Sequence, residues 1–294
     1  MTLRTFKHFA RRSQRGLAFT VVELMVAVSI MTLIVLALYG MFDQVQKALR
    51  GNVAQVDVLE GGRSAMELMT REMEQIQAGN ILNQTNLYVG FGRDAFQVQL
   101  PFRQELLGLN EYRTNLLQEV YFLSRFNKEW TGTGYRVLAS NLKNGLFNQF
   151  GTNGVGTLAR YSTSIHDSYL TRTNPFRFVM DPQPRNLTNY QRLVDGVVHF
   201  RIRAYDGRGF PLTYLTNTYD GVNMLNDANS GETRYAFTNK AVPAYLEVEL
   251  GILEPQVLER LKSIPTPAAA ANFLAKQTGK IHLFQQRIPI RTAK

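Results

Sequence analysis

Cysteine is absent from the 294 residues of this chain, so a disulfide, a thiolate zinc site and a cysteine nucleophile are all excluded. Histidine is scarce. His8, His166, His199 and His282 are isolated, and none has a metal-ligand partner at helical or hairpin spacing. The sequence also lacks a Gly-x-Ser-x-Gly elbow, a Walker A loop and a His-Glu-x-x-His pair. Gly151-Thr-Asn-Gly154-Val-Gly156 has its glycines in the wrong order for a dinucleotide loop. Asp220–Asp227 gathers oxygen ligands without the alternation or the distal Glu of a calcium loop. These absences point away from an enzyme: no catalytic residue, metal or cofactor is expected. Acid is missing from one region in particular. Met1–Ala18 carries Arg4, Lys7, Arg11, Arg12 and Arg15 and no Asp or Glu. Those five cations supply half of the formal net charge of +10, which weakens the inference from charge to a nucleic-acid partner.

What the chain does have is a long apolar run directly after that basic segment. Phe19–Phe42 is interrupted only by Thr20, Glu23, Ser29, Thr32 and Gly40. As a helix it spans about 36 Å, against a hydrocarbon core of about 30 Å. Glu23 is its one ionisable carboxylate, and a charge there costs about 2.5–3.5 kcal/mol on insertion scales. Two ordinary readings account for part of this. A secretory signal peptide has a shorter apolar core with a small-x-small cleavage site, which Tyr39-Gly40-Met41-Phe42 does not offer. A plain signal anchor explains the basic segment through the positive-inside rule, with Glu23 snorkelling to the interface. It leaves the register of the surrounding residues unexplained.

That register, Ala18 followed by Phe19-Thr20-Val-Val-Glu23-Leu24, resembles the amino terminus of the type IV pilin and type II secretion pseudopilin superfamily. The resemblance implies a leader over 1–18, removed by a prepilin peptidase that also N-methylates the new amine of Phe19. It makes Glu23 the fifth mature residue, with an assembly role. The family usually places Gly before the cut, where this chain has Ala18. Gly16 lies two places earlier, but cutting there would put Glu23 seventh. The resemblance further implies a single-pass protein of the bacterial inner membrane, its amino terminus cytoplasmic and its globular part periplasmic. Other pilins or pseudopilins would be its partners, in a periplasmic or surface filament.

The segment 43–79 continues as an amphipathic helix. Val45, Ala48, Leu49, Val53, Val56, Met66, Met69, Met73 and Ile76 recur largely at three- and four-residue spacing, with Gly79-Asn80 as a stop. Gly61-Gly62 predicts a kink. Residues 80–294 read as a β-rich domain. Strand-like runs are Phe96–Leu100, Glu119–Phe126, Tyr135–Ser140, Thr157–Ser162, Phe176–Met180, Gly196–Tyr205, Tyr245–Leu253 and Ile281–Ile290. Leu246-Glu-Val-Glu-Leu250 alternates strictly, as a half-solvated strand does. Glu254–Lys262 and Ala268–Lys276 read as short helices around Pro265-Thr-Pro267, whereas Asn141–Asn153 and Thr216–Asn229 read as loops.

The expected class is therefore α+β: a long amino-terminal helix, half membrane-spanning and half amphipathic, packed on antiparallel sheet in a pilin-like way. The carboxy-terminal runs, with Leu193-Val-Asp-Gly-Val-Val-His-Phe200, resemble J-type minor pseudopilins and W-type minor pilins. Glu23 argues against the K-type. Arg201, Arg203, Tyr205 and Arg208 mix cations with an aromatic, as DNA-capturing minor pilins do, but a solvated sheet face is the favoured reading and nucleic acid is not the expected partner.

Overall fold

The computed structural model describes residues 20–79, 84–91, 102–105, 112–138, 154–166, 190–212, 222–226 and 233–292. The chain divides into two units, Met1–Asn52 and Val53–Lys294. Helix α1 runs Val21–Met73. It continues as helix through Gly61-Gly62, where the sequence predicts a kink. Gly62 is kept free of a side chain by packing instead: a Cβ there would lie 2.3 Å from the ring of Phe284. The helix also stops at Met73, six residues before Gly79, and Ile76 bridges to Ser124.

In the first unit every residue from Thr20 to Val45 is exposed. The helix is long and apolar enough to cross a membrane, and none of its most apolar window is buried. Its Ser29 and Thr32 hydroxyls are satisfied within the helix. Ser29 Oγ donates to the Met25 carbonyl at 2.8 Å, and Thr32 Oγ1 donates to the Val28 carbonyl at 2.7 Å. The apolar run ends at an Asp43–Lys47 ion pair of 2.7 Å.

In the second unit α1 buries Val58, Gly62, Ala65, Met66, Met69 and Met73, a helical stripe in which i+3 and i+4 steps recur. The stripe packs on a curled, antiparallel sheet. Its strands are β1 (Thr85–Phe91), β4 (Gln118–Phe126), β5 (Glu129–Leu138), β6 (Gly156–His166), β7 (Tyr190–Tyr205), β8 (Val222–Asn226), β9 (Thr233–Thr238), β10 (Tyr245–Leu253) and β11 (Ile281–Pro289), in spatial order β11-β10-β7-β6-β5-β4-β1-β9-β8. β2 (Phe102–Glu105) and β3 (Tyr112–Asn115) pair separately. Alternation sorts the two sheet faces. Val120, Phe122, Tyr135, Val137, Phe200, Ile202, Val248 and Leu250 join the core under α1. On the far face, α2 (Pro255–Lys262) and α3 (Pro267–Ala275) cover Val198 and Leu253 with Val257, Leu261, Ala270 and Leu274.

The expected strands over 119–126, 157–162, 196–205 and 245–253 are present; the run expected over 135–140 is strand to Leu138, with 139–140 outside the described residues, and the run expected over 281–290 is strand to Pro289. Both short helices are present, each opening with Pro in its first turn. Val222–Asn226, read as loop from its asparagines, is strand β8 paired with β9. Thr85–Phe91 and Thr233–Thr238, which sequence periodicity did not single out, are also strands. Phe96–Leu100, Phe176–Met180 and Asn141–Asn153 lie outside the described residues.

Candidate functional site

Thr20 and Glu23 form one local structure at the start of α1. Thr20 is the residue before the helix, and its Oγ1 accepts the Glu23 N–H at 3.3 Å. Glu23 Oε2 accepts both the Thr20 N–H and the Thr20 hydroxyl, each at 3.0 Å. This is a reciprocal capping box, Thr at the cap and Glu at the third helical position. It satisfies backbone donors that a helix start otherwise leaves open. Glu23 therefore does not stand without a local partner, as reading it only as a lone membrane charge implied. The signal was in the sequence: Thr-x-x-Glu before an apolar run is a helix-start pattern. Oε1 takes no hydrogen bond among the described residues, so one carboxylate oxygen stays open to a donor from outside. The donors come from Thr20, so the box survives a cut between Ala18 and Phe19. Gly16, Ala18 and Phe19 themselves lie outside the described residues.

Several polar groups that sequence analysis singled out in the second unit are tied into the fold. His199 is buried, and both ring nitrogens are engaged. Nδ1 accepts the Leu116 N–H at 3.1 Å, and Nε2 lies 3.1 Å from Glu249 Oε2. The first contact fixes the tautomer, so Nε2 carries the proton and donates. With no free lone pair, this histidine is not placed to act as a base. The bond from His199, reinforced by Arg203 and Arg201, holds the Glu249 carboxyl below its ordinary range despite partial burial. His282 lies 3.6 Å from Glu254, and His166 is exposed at the end of β6. His8 lies outside the described residues. Among those residues, no three His, Asp or Glu side chains group as a metal site.

The basic-aromatic face of β7 is a cross-strand ladder. Arg203 Nη1 lies 3.3 Å from Glu247 and 3.4 Å from Glu249, and Arg201 stands opposite Glu249 in register. The Arg287 guanidinium stacks over Tyr205 and Tyr245, 4.5 and 4.7 Å from their ring centres. Arg208 sits in the turn after β7, where Asp206 Oδ1 accepts its N–H at 3.0 Å. Glutamates oppose Arg201, Arg203 and Arg287, so the strand face does not present the uncompensated positive charge that phosphate binding exploits.

A third cluster fixes α1 on the sheet. Arg160 on β6 donates from Nη2 to Glu72 Oε1 at 2.6 Å and from Nε to both carboxylate oxygens at 3.0 and 3.1 Å. Tyr135 donates its hydroxyl proton to the same carboxylate. Burial and that neighbouring negative charge push the Tyr135 hydroxyl far above the ordinary phenol range. Beyond α1, Arg291 pairs with Glu74, and the Thr292 hydroxyl donates to the Ile76 carbonyl.

Compared with family models, with curated proteins and with solved structures, the chain matches none.

Proposed function

We propose that this chain is a structural, non-enzymatic subunit of a pilin- or pseudopilin-type filament, of the minor J-type or W-type, assembled from the inner membrane. The observation that carries the reading is the Thr20–Glu23 pair. A carboxylate stands at the head of a helix long and apolar enough to span a bilayer, with one oxygen still open. In a low-dielectric surrounding an open acceptor on a charged group is costly, and a cation from a neighbour relieves it. On this reading the neighbour is another subunit whose Phe19 amine, freed by prepilin peptidase and N-methylated, meets Glu23 during assembly. The basic leader holds the amino terminus in the cytoplasm and the sheet domain lies in the periplasm. A helix whose outer portion packs on antiparallel sheet supports the pilin-like assignment.

A second reading has an observation of its own. The capping box accounts for Glu23 locally, as a plain signal anchor requires. Mass spectrometry of the membrane-extracted protein separates the two. The filament reading expects an amino terminus at Phe19, about 14 Da heavier than the unmodified residue from one methyl group. A terminus retained at Met1 in cells with an active prepilin peptidase leaves the anchor. Cleavage within 30–45 overturns both in favour of a secreted protein.

A further inference from the structure

The second unit carries an open sheet edge with a charged groove beside it, and neither is needed by the filament reading. β11 is the last strand of the sheet, and no described strand pairs with its outer side. An unpaired edge presents a row of backbone N–H and C=O groups that invites another strand, so proteins ordinarily shorten it, kink it or charge it. β11 shows little of this. It runs for nine residues, Ile281–Pro289, in unbroken register with β10 and with its one proline at the end. Its one Arg or Lys, Arg287, is folded over Tyr205 and Tyr245. Leu283 is 48% exposed. The opposite edge, β8, is five residues long.

Alongside β11 lies a groove of about 660 Å³ between that strand and α1, floored by Met66, Leu283 and Phe284. Strand and helix run the same way along it, because Gly62 meets Phe284 and Glu74 meets Arg291. The helix wall is a row of exposed charges at i, i+4 and i+8: Arg63, Glu67 and Arg71. None of the three forms an ion pair among the described residues. Successive charges in such a row rise by about 6 Å. Alternate side chains on one face of an extended strand are spaced by about 6.6 Å. The two repeats match over three positions.

We infer that this edge and the helix row beside it form a docking surface for an extended strand of a second protein, one bearing an acidic, a basic and an acidic side chain at successive alternate positions on its α1-facing side. The added strand takes its main-chain hydrogen bonds from β11, and its side chains meet Arg63, Glu67 and Arg71 in turn. Backbone pairing supplies the attachment, and the charge order supplies selectivity against other strands.

The test uses the full chain in detergent micelles and three labelled ten-residue peptides of equal length. One has a Glu-Thr-Lys-Thr-Glu centre, one Lys-Thr-Glu-Thr-Lys, and one is a scrambled form of the first. Fluorescence anisotropy should rank the first about tenfold tighter than the second. The double variant Arg63→Glu/Arg71→Glu, which changes only exposed side chains, should reverse that order with an unchanged circular dichroism spectrum. Amides of β11 should gain exchange protection when the first peptide binds. Equal binding of the peptides, an unreversed order in the folded double variant, or protection that spares β11 would each overturn the inference. So would self-association of the chain that protects β11 without peptide, since the occupant would then be a second copy.

Discussion

Gly61 and Gly62 are adjacent in one helix, yet alanine should act on them with opposite sign. Helix propensity alone favours Ala over Gly by about 1 kcal/mol at either site. At Gly61 a new Cβ would meet Val194 Cγ2 at 3.7 Å, an ordinary contact, so Gly61→Ala should stabilise by about 1 kcal/mol. At Gly62 the Cβ would lie 2.3 Å from two ring carbons of Phe284 and 2.9 Å from a third. The ring has to move by more than 1 Å (about the difference from a normal contact), and overpacking of this kind costs about 1–3 kcal/mol. Subtracting the propensity gain leaves Gly62→Ala destabilised by about 1 kcal/mol, some 2 kcal/mol below its neighbour. Urea denaturation followed by the single tryptophan, Trp130, which is buried in the second unit, measures both. Phe284→Leu in the Gly62→Ala background should recover most of the loss, a coupling that a double-mutant cycle isolates. Equal stabilisation by the two alanines, or no coupling to Phe284, would refute the close approach of α1 and β11.

Arg160→Met leaves Glu72 half-buried with Tyr135 as its remaining partner and should cost about 2 kcal/mol in the same assay; Arg160→Lys should cost less, because a single ammonium keeps the charge but loses the fork. Glu249 titrates below its ordinary value of 4.5, so its contribution is complete above that pH and is lost as pH falls through the lower folded value. The stability gap between the parent and Glu249→Gln should therefore be constant from about pH 7 to pH 5 and narrow below about 4.5; a gap independent of pH down to about 3 would contradict the hydrogen bond from His199. On the proposed filament reading, Glu23→Leu should insert in the membrane and leave the sheet domain folded while abolishing cross-linking to the partner subunits that reading expects, with Glu23→Asp less damaged; wild-type cross-linking by Glu23→Leu would reduce the carboxylate to its capping role.

Local periodicity makes much of the fold legible in the sequence. The apolar run after Glu23, the methionine stripe Met66, Met69 and Met73, the alternation Leu246–Leu250 and the prolines opening α2 and α3 all encode structure within a few residues, where helix and strand repeats differ. Thr20-x-x-Glu23 was equally local, and its capping geometry follows from spacing alone. Short strands among asparagines and glycines, such as Val222–Asn226, were not legible, because their formation depends on a partner strand rather than on their own composition. Sheet order belongs to the same category. Placing β1 between β4 and β9 requires contacts that close long stretches of chain, and no residue pattern within β1 names its neighbours. The Glu72–Arg160 pair joins positions 88 residues apart, and the two ring nitrogens of His199 are claimed by Leu116 and Glu249 from distant segments. The sequence by itself determined which segments are helix, which are membrane-length and where an ionisable group interrupts them. Only the tertiary structure decided which side chains are consumed by ion pairs and which edge of the sheet stays open, because those outcomes depend on non-local packing that local propensity does not contain.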